Sequence, residues 1–176
     1  PDMKSVSRSK TLFIATKDSK YIQQMLYNLA EDMCFKARRM KLAGCYIGFS
    51  LRDTERKRWS GQKHLKGRWI SRTNDVFEVL LSIFHDIYHE VLPGNLPSKI
   101  IKVGVWLGGL KPLTQIPLSW LPEAQKGAEV FAAIDKVNEK HGLYTVTSGK
   151  LLNFKIIKPE VTGYLGDKAY QMKFSS

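Results

Sequence analysis

Apolar side chains alternate with polar ones in some stretches of this chain and recur every third or fourth residue in others. The two rhythms divide it into elements. Lys4–Ala15, KSVSRSKTLFIA, is rich in hydroxyl and β-branched residues and lacks Pro and Gly, which predicts a strand. Asp18 and Ser19 are helix-capping types. After them Ile22, Met25, Leu26, Leu29, Met33, Ala37 and Met40 keep helical spacing, and Gly44 is the expected stop. Cys45, Ile47, Phe49 and Leu51 then alternate with Tyr46, Gly48, Ser50 and Arg52, as in a strand with one buried face. A second, very basic strand is expected over Arg58–Ser71, with Gly61 and Gly67 as bulge or close-approach sites. Thr73, Asn74 and Asp75 open another helix, whose stripe is Val76, Val79, Leu80, Ile83, Phe84, Ile87, Tyr88 and Val91. The run KIIKVGVWL, with Ile101, Val103, Val105 and Leu107 on one side, predicts a buried strand.

The order over residues 4–108 is thus β-α-β-β-α-β, which implies an α+β domain: an antiparallel sheet with both helices on one face. The other sheet face is left free for the polar half of each strand. Beyond Leu110 the pattern changes. Residues 111–122 form a proline-braced linker, and residues 123–176 a small helix-and-strand appendage. Its helix is expected over Ala124–Lys140 with Val130, Phe131, Ile134 and Val137 as the stripe, and its strands at LYTVTS, KLLNFKII and KAYQMKF. The boundaries expected are therefore 1–110, 111–122 and 123–176.

Charge sharpens this picture. The net charge is +12, and residues 1–72 hold 17 Lys and Arg against 6 Asp and Glu, whereas residues 73–176 hold 11 against 10. A basic excess confined to one region is the footprint of a polyanion partner or, alternatively, a solvated face that aids solubility. No apolar run approaches a membrane span, and Cys34 and Cys45 form neither a CxxC pair nor a disulfide framework, which favours a reducing, cytoplasmic setting. The start at Pro1 reads as a cut within a longer protein.

Catalytic patterns are weak by comparison. His85 and His89 share a helical face, but Asp86 stands where a zinc protease needs Glu, and a third ligand is lacking. There is no GxSxG, no phosphate-cradling Gly loop, and no tight acidic pair for Mg²⁺. The chain itself is therefore expected to be non-catalytic. The basic strands carry the stronger signal: SVSRSK and RWSGQKHLKGRW mix Lys and Arg with Ser, Gly, Gln and aromatics, a composition suited to phosphate contacts without base readout.

KSVSRSKTL, LAEDMCFKARRMKLAGCYIGFSLR, SGQKHL, SRTNDVFEVLLSIFHDIY and IIKVGVWLGGL, in that order, resemble the little-finger domain of Y-family translesion DNA polymerases. AAIDKVNEKHGLYTV resembles the C-terminal segment of the ImpB/MucB/SamB, polymerase V-like branch. The resemblance implies a domain that lies along template-primer DNA during damage bypass in the SOS response. By position it implies DNA contacts from Ser5, Ser7, Arg8 and Lys10, from Arg58, Gln62, Lys63 and His64, and from Arg68 and Arg72. It places the catalytic carboxylates and their Mg²⁺ in a palm domain upstream, and implies no cofactor here. Gln115-Ile116-Pro117-Leu118-Ser119-Trp120 resembles the family's sliding-clamp peptide, with Gln115, Ile116, Leu118 and Trp120 as its contacts. A bacterial sliding clamp, a recombinase filament and accessory mutasome subunits are the implied protein partners, and a nucleoid-associated cytoplasmic location follows. Two other classes fit the residues alone. One is a stand-alone ferredoxin-like RNA-binding module, favoured if Tyr46 and Trp106 stand on the free face; the other is a protein-interaction adaptor.

Overall fold

The computed structural model describes residues 4–88, 95–117, 128–142, 144–151 and 155. Its elements are β1 (Ser5–Asp18), α1 (Ser19–Arg39), β2 (Leu42–Ala43), β3 (Tyr46–Asp53), β4 (Arg58–His64), α2 (Thr73–Tyr88), β5 (Asn95–Gly108), β6 (Lys111–Pro112) and α3 (Ala128–His141). Short 3-10 turns follow at Leu113–Gln115 and Gly149–Leu151. The main sheet runs β1-β5-β3-β4 with every pair antiparallel, and β2 pairs with β6 in a separate ribbon. The β-α-β-β-α-β order and the α+β class expected from the sequence are those observed.

Asp18 caps α1: its Oδ1 accepts the backbone N–H groups of Lys20 and Tyr21 at 2.9 and 3.2 Å. Lys36, Arg38 and Arg39 lie in the last turn, where cations suit the helix dipole. The helix stops earlier than Gly44, because Met40 caps it and Lys41 takes the left-handed conformation (φ 54°). Gly44 instead pairs with Ile70 in an isolated bridge. Asp53 braces the β3–β4 hairpin by accepting from the Glu55 and Lys57 amides.

The core lies between the sheet and α1 and α2. Ile22, Met25, Leu26, Leu29 and Met33 from α1, and Val76, Leu80, Ile83 and Phe84 from α2, meet Ile47, Phe49, Leu51, Val103, Val105 and Leu107 of the central strands. Gly61 lets α2 approach β4, since a Cβ there would collide with Ile83.

Three expectations need correction. The second basic strand ends at His64 rather than Ser71: Gly67 turns the chain in the left-handed region (φ 69°), and only Ile70 returns to pair. Ile101 is not in line with Val103, because β5 bulges between Lys102 and Ile100, and Ile100 takes the buried place. The expected tail strand at 143–148 is a turn and bends where described, with a 3-10 turn after it rather than a strand. KAYQMKF and most of KLLNFKII, like Val91, lie outside the described residues.

The tail docks on the α1 side of the domain. Arg38 grips Asp135 of α3 through two hydrogen bonds, Nε–Oδ2 at 2.7 Å and Nη2–Oδ1 at 2.8 Å, and its Nη1 donates to the Ser71 carbonyl. Asn28 Nδ2 donates to the Tyr144 hydroxyl, which donates to the Asn28 carbonyl. Leu151 joins the main core at 3% exposure. Polar pairs rather than the apolar stripe set the rotation of α3: Asn138 is buried and bonded to the Val146 backbone, while Val130 is 61% exposed.

Candidate nucleic-acid interface

Strand register decides what the free sheet face presents. Side chains alternate along each strand, and cross-strand partners share a face. Ser5, Gly108, Tyr46 and His64 therefore form one rung across β1, β5, β3 and β4. Ser7, Trp106, Gly48 and Gln62 form the next, followed by Ser9, Gly104, Ser50 and Ser60, then Thr11, Lys102, Arg52 and Arg58. None of these positions is acidic. Strand spacings make the patch roughly 14 Å by 20 Å.

The face has a polarity of its own. At one end Tyr46 stacks on His64, with centroids 4.2 Å apart and planes 8° from parallel. Beside them Trp106 lies across Gly48, whose missing Cβ leaves room for the ring, and its Nε1 donates to Gln62 Oε1 at 2.7 Å. The middle is a shallow trough of Ser and Gly. The far end is the cationic rung of Lys102, Arg52 and Arg58. Small hydroxyl residues allow close approach and can bond phosphate oxygens, and the cations can neutralise them.

Of the residues expected to touch DNA, Ser5, Ser7, Arg58, Gln62 and His64 stand together on this face. Arg8 does not. It is 1% exposed and its Nε is bonded to Asp32 of α1, because it shares the parity of Val6 and Leu12. Lys63 also points to the helix side, where its Nζ meets Ser82 Oγ at 2.9 Å and Asp86 at 3.0 Å. Lys10 has the parity of Arg8 and lies over the Phe13 ring. Arg68 is exposed in the loop after β4. Arg72 is partly buried, turned to Asp75 and to Phe131 of the tail.

Ser9, Thr11, Ser50, Ser60, Arg52 and Lys102 complete the face; alternation along β3 already puts Ser50 and Arg52 on its polar side, but none of the six is among the expected DNA contacts. Strict period-two counting would have found them, since Ser5, Ser7, Ser9 and Thr11 share one parity and Arg8 and Lys10 the other.

The proposed clamp peptide is described only as far as Pro117. Gln115 is exposed, whereas Ile116 is 5% exposed and already seated within the chain, so it has no apolar surface to offer a partner. Leu118 and Trp120 lie outside the described residues.

Neither cysteine is disposed to act as a nucleophile. Burial pushes the Cys34 thiol up to about 12 and also raises that of Cys45. His85 is described and His89 is not, and no group of three metal-ligating side chains occurs among the described residues. No helix among them is long and apolar enough to cross a membrane.

Residues 3–119 match the C-terminal domain of the impB/mucB/samB family. The chain belongs to this family. That C-terminal domain contains the whole four-stranded sheet and both helices packed on it, and the docked α3 lies beyond it. Solved structures with detectable likeness include the post-insertion binary complex of Dbh DNA polymerase, 16% identical, with a TM-score of 0.48 over 60% of this chain and 28% of that one. Another is the crystal structure of DinB from Sulfolobus solfataricus, 17% identical, with a TM-score of 0.46 over 59% and 28%. The chain thus spans under a third of the length of those proteins. No curated protein sequence matches it.

Proposed function

We propose that this chain is the DNA-binding C-terminal region of an error-prone translesion polymerase, and that it grips template-primer phosphates with the free face of its sheet. One observation carries the reading: four rungs of hydroxyl, glycine, aromatic and cationic residues without a single acid, on a sheet whose helix side has Asp32 and Asp86 paired with the inward cations Arg8 and Lys63. Arg52, Arg58 and Lys102 supply the charge, Ser5, Ser7, Ser9, Ser50 and Ser60 the hydroxyl donors, and Gln62 and His64 the flank. The hydroxyls and cations suit phosphate oxygens, so binding is expected to be sequence-tolerant and set by counterion release. Polymerisation and its Mg²⁺ belong, on this reading, to a palm domain outside residues 1–176.

In the same proposal the peptide after β6 tethers the polymerase to a bacterial sliding clamp. Gln115 and the residues beyond Pro117 would then make the contact, with Ile116 anchoring the peptide to its own domain. Calorimetric titration of a sliding clamp with the chain and with a Gln115/Leu118/Trp120→Ala triple variant tests this. Equal heats from both, or no heat from the wild type where a control peptide binds, would remove the clamp from the proposal.

The DNA reading is tested by fluorescence anisotropy with a labelled template-primer duplex across a salt series. A steep negative slope of log K against log salt is expected. Arg58→Ala and Lys102→Ala should each shorten that slope by about 1. Affinity that is weak and indifferent to salt would instead favour a protein adaptor. Tighter binding to single-stranded RNA than to duplex DNA would favour the RNA module, since Tyr46 and Trp106 do stand on the free face.

A further inference from the structure

The strand β1 is interrupted where the cationic rung ends. Thr11 pairs with Lys102 and Thr16 with Ile100, so four residues of β1, Leu12 to Ala15, stand against a single residue of β5. Leu12 turns inward and is buried, which fixes one end of this bulge, and the Thr16 pairing fixes the other. Between them Phe13 is 98% exposed and Ile14 is 83% exposed. Two large apolar side chains are thus held out into solvent on an anchored backbone. Scattered single apolar residues on a surface need no explanation, but a paired aromatic and aliphatic on a built projection mark a contact.

The surroundings identify the chemistry of that contact. Residues 4–17 contain no acid, and with Arg8 buried against Asp32 their outward cations are Lys4, Lys10 and Lys17. Lys10 Nζ lies 5.7 Å from the Phe13 ring centroid, and the neighbouring rung holds Lys102, Arg52 and Arg58. A second copy docked projection to projection would bring the same cations to the same place and be repelled. A polyanion with apolar flat surfaces inside its charged exterior fits both features, and nucleic acid is that polymer.

We propose that Phe13 and Ile14 form an apolar wedge that packs on the bases or deoxyriboses of the duplex whose phosphates the cationic rung holds. The proposal rests on the DNA-binding reading above and adds a contact of a different kind to it. Phosphate contacts respond to salt, whereas a wedge partly unstacks the bases it touches and does not.

The experiment compares wild type with Phe13→Ala/Ile14→Ala on a template-primer duplex carrying 2-aminopurine, by anisotropy over a salt series and by 2-aminopurine emission. Both side chains are exposed, so the variant should fold, and an unchanged thermal melt checks this. The variant should bind about 5- to 30-fold more weakly at every salt concentration, with the same salt slope. Wild type should raise 2-aminopurine emission at one or two positions, and the variant should not. If the variant binds as tightly as wild type with the same emission, the wedge is wrong while the DNA reading stands. If wild type fails to bind the duplex at all, the underlying reading falls and the wedge with it. A wild type that is dimeric by sedimentation while the variant is monomeric would reassign the projection to self-association.

Discussion

The two faces of the sheet use the same residue types for opposite ends. On the free face Arg58 and Arg52 stand exposed in an acid-free patch. On the helix side Arg8 and Lys63, from the edge strands β1 and β4, meet Asp32 and Asp86. A cation on one parity is available to an outside polyanion, and a cation one residue away is internal structure. Basic composition in a strand therefore overstates a binding surface by whatever fraction of its cations face inward.

The largest effect should come from Arg8. Arg8→Ala leaves the buried Asp32 carboxylate without its guanidinium and should cost about 3–5 kcal/mol in urea unfolding. DNA affinity measured on the folded fraction should not change. A large loss of affinity with little loss of stability would move Arg8 to the binding face and break the comparison.

Next is Glu31, on the same side of the molecule, whose carboxylate accepts from Thr147 of the tail at 3.3 Å. Burial raises it from 4.5 to about 7, with the Thr147 hydrogen bond and Arg38 opposing and Asp135 and Asp32 reinforcing. The folded chain thus holds a proton that the unfolded chain has lost between those values. The contribution of Glu31 to stability should be full below pH 4.5 and be lost as pH rises to 7, by up to ~3 kcal/mol. Melts of Glu31→Gln over that range should lose this component. An unchanged pH profile would show that the group is solvated.

The smallest effects should separate Lys63 from Arg58. Lys63→Ala removes a half-exposed ion pair worth under ~1 kcal/mol and should leave the salt slope of DNA binding intact. Arg58→Ala should leave stability intact and shorten the slope. Equal slopes for the two variants would erase the distinction between the faces.

Most of the fold was legible because periodicity is a strong signal where burial is one-sided. The stripes of α1 and α2 and the alternation of β3 all appear in the structure. The ends were less legible. Leu65 and Trp69 prolong the alternation of Trp59, Gly61 and Lys63 on paper, but the positive φ of Gly67 breaks it, and a sequence does not display φ. The docking face of α3 was missed because Arg38–Asp135 and Asn138–Val146 fix it, and polar pairs distant in sequence leave no periodic trace. For the candidate site the residue types were right and the parity was ignored, which mixed Ser7 with Arg8 and Gln62 with Lys63.

The reciprocal bonds between Asn28 and Tyr144 join residues 116 positions apart. A ribosome adds roughly 5–20 residues per second, so α1 emerges some 6–23 s before the residues that cover it. Over that interval the bonds of Asn28 to Tyr144, Glu31 to Thr147 and Arg38 to Asp135 are still unmade, while Arg38 already has the Ser71 carbonyl within reach. The α1 surface is accordingly polar where the tail will sit and apolar where the sheet, made sooner, already lies.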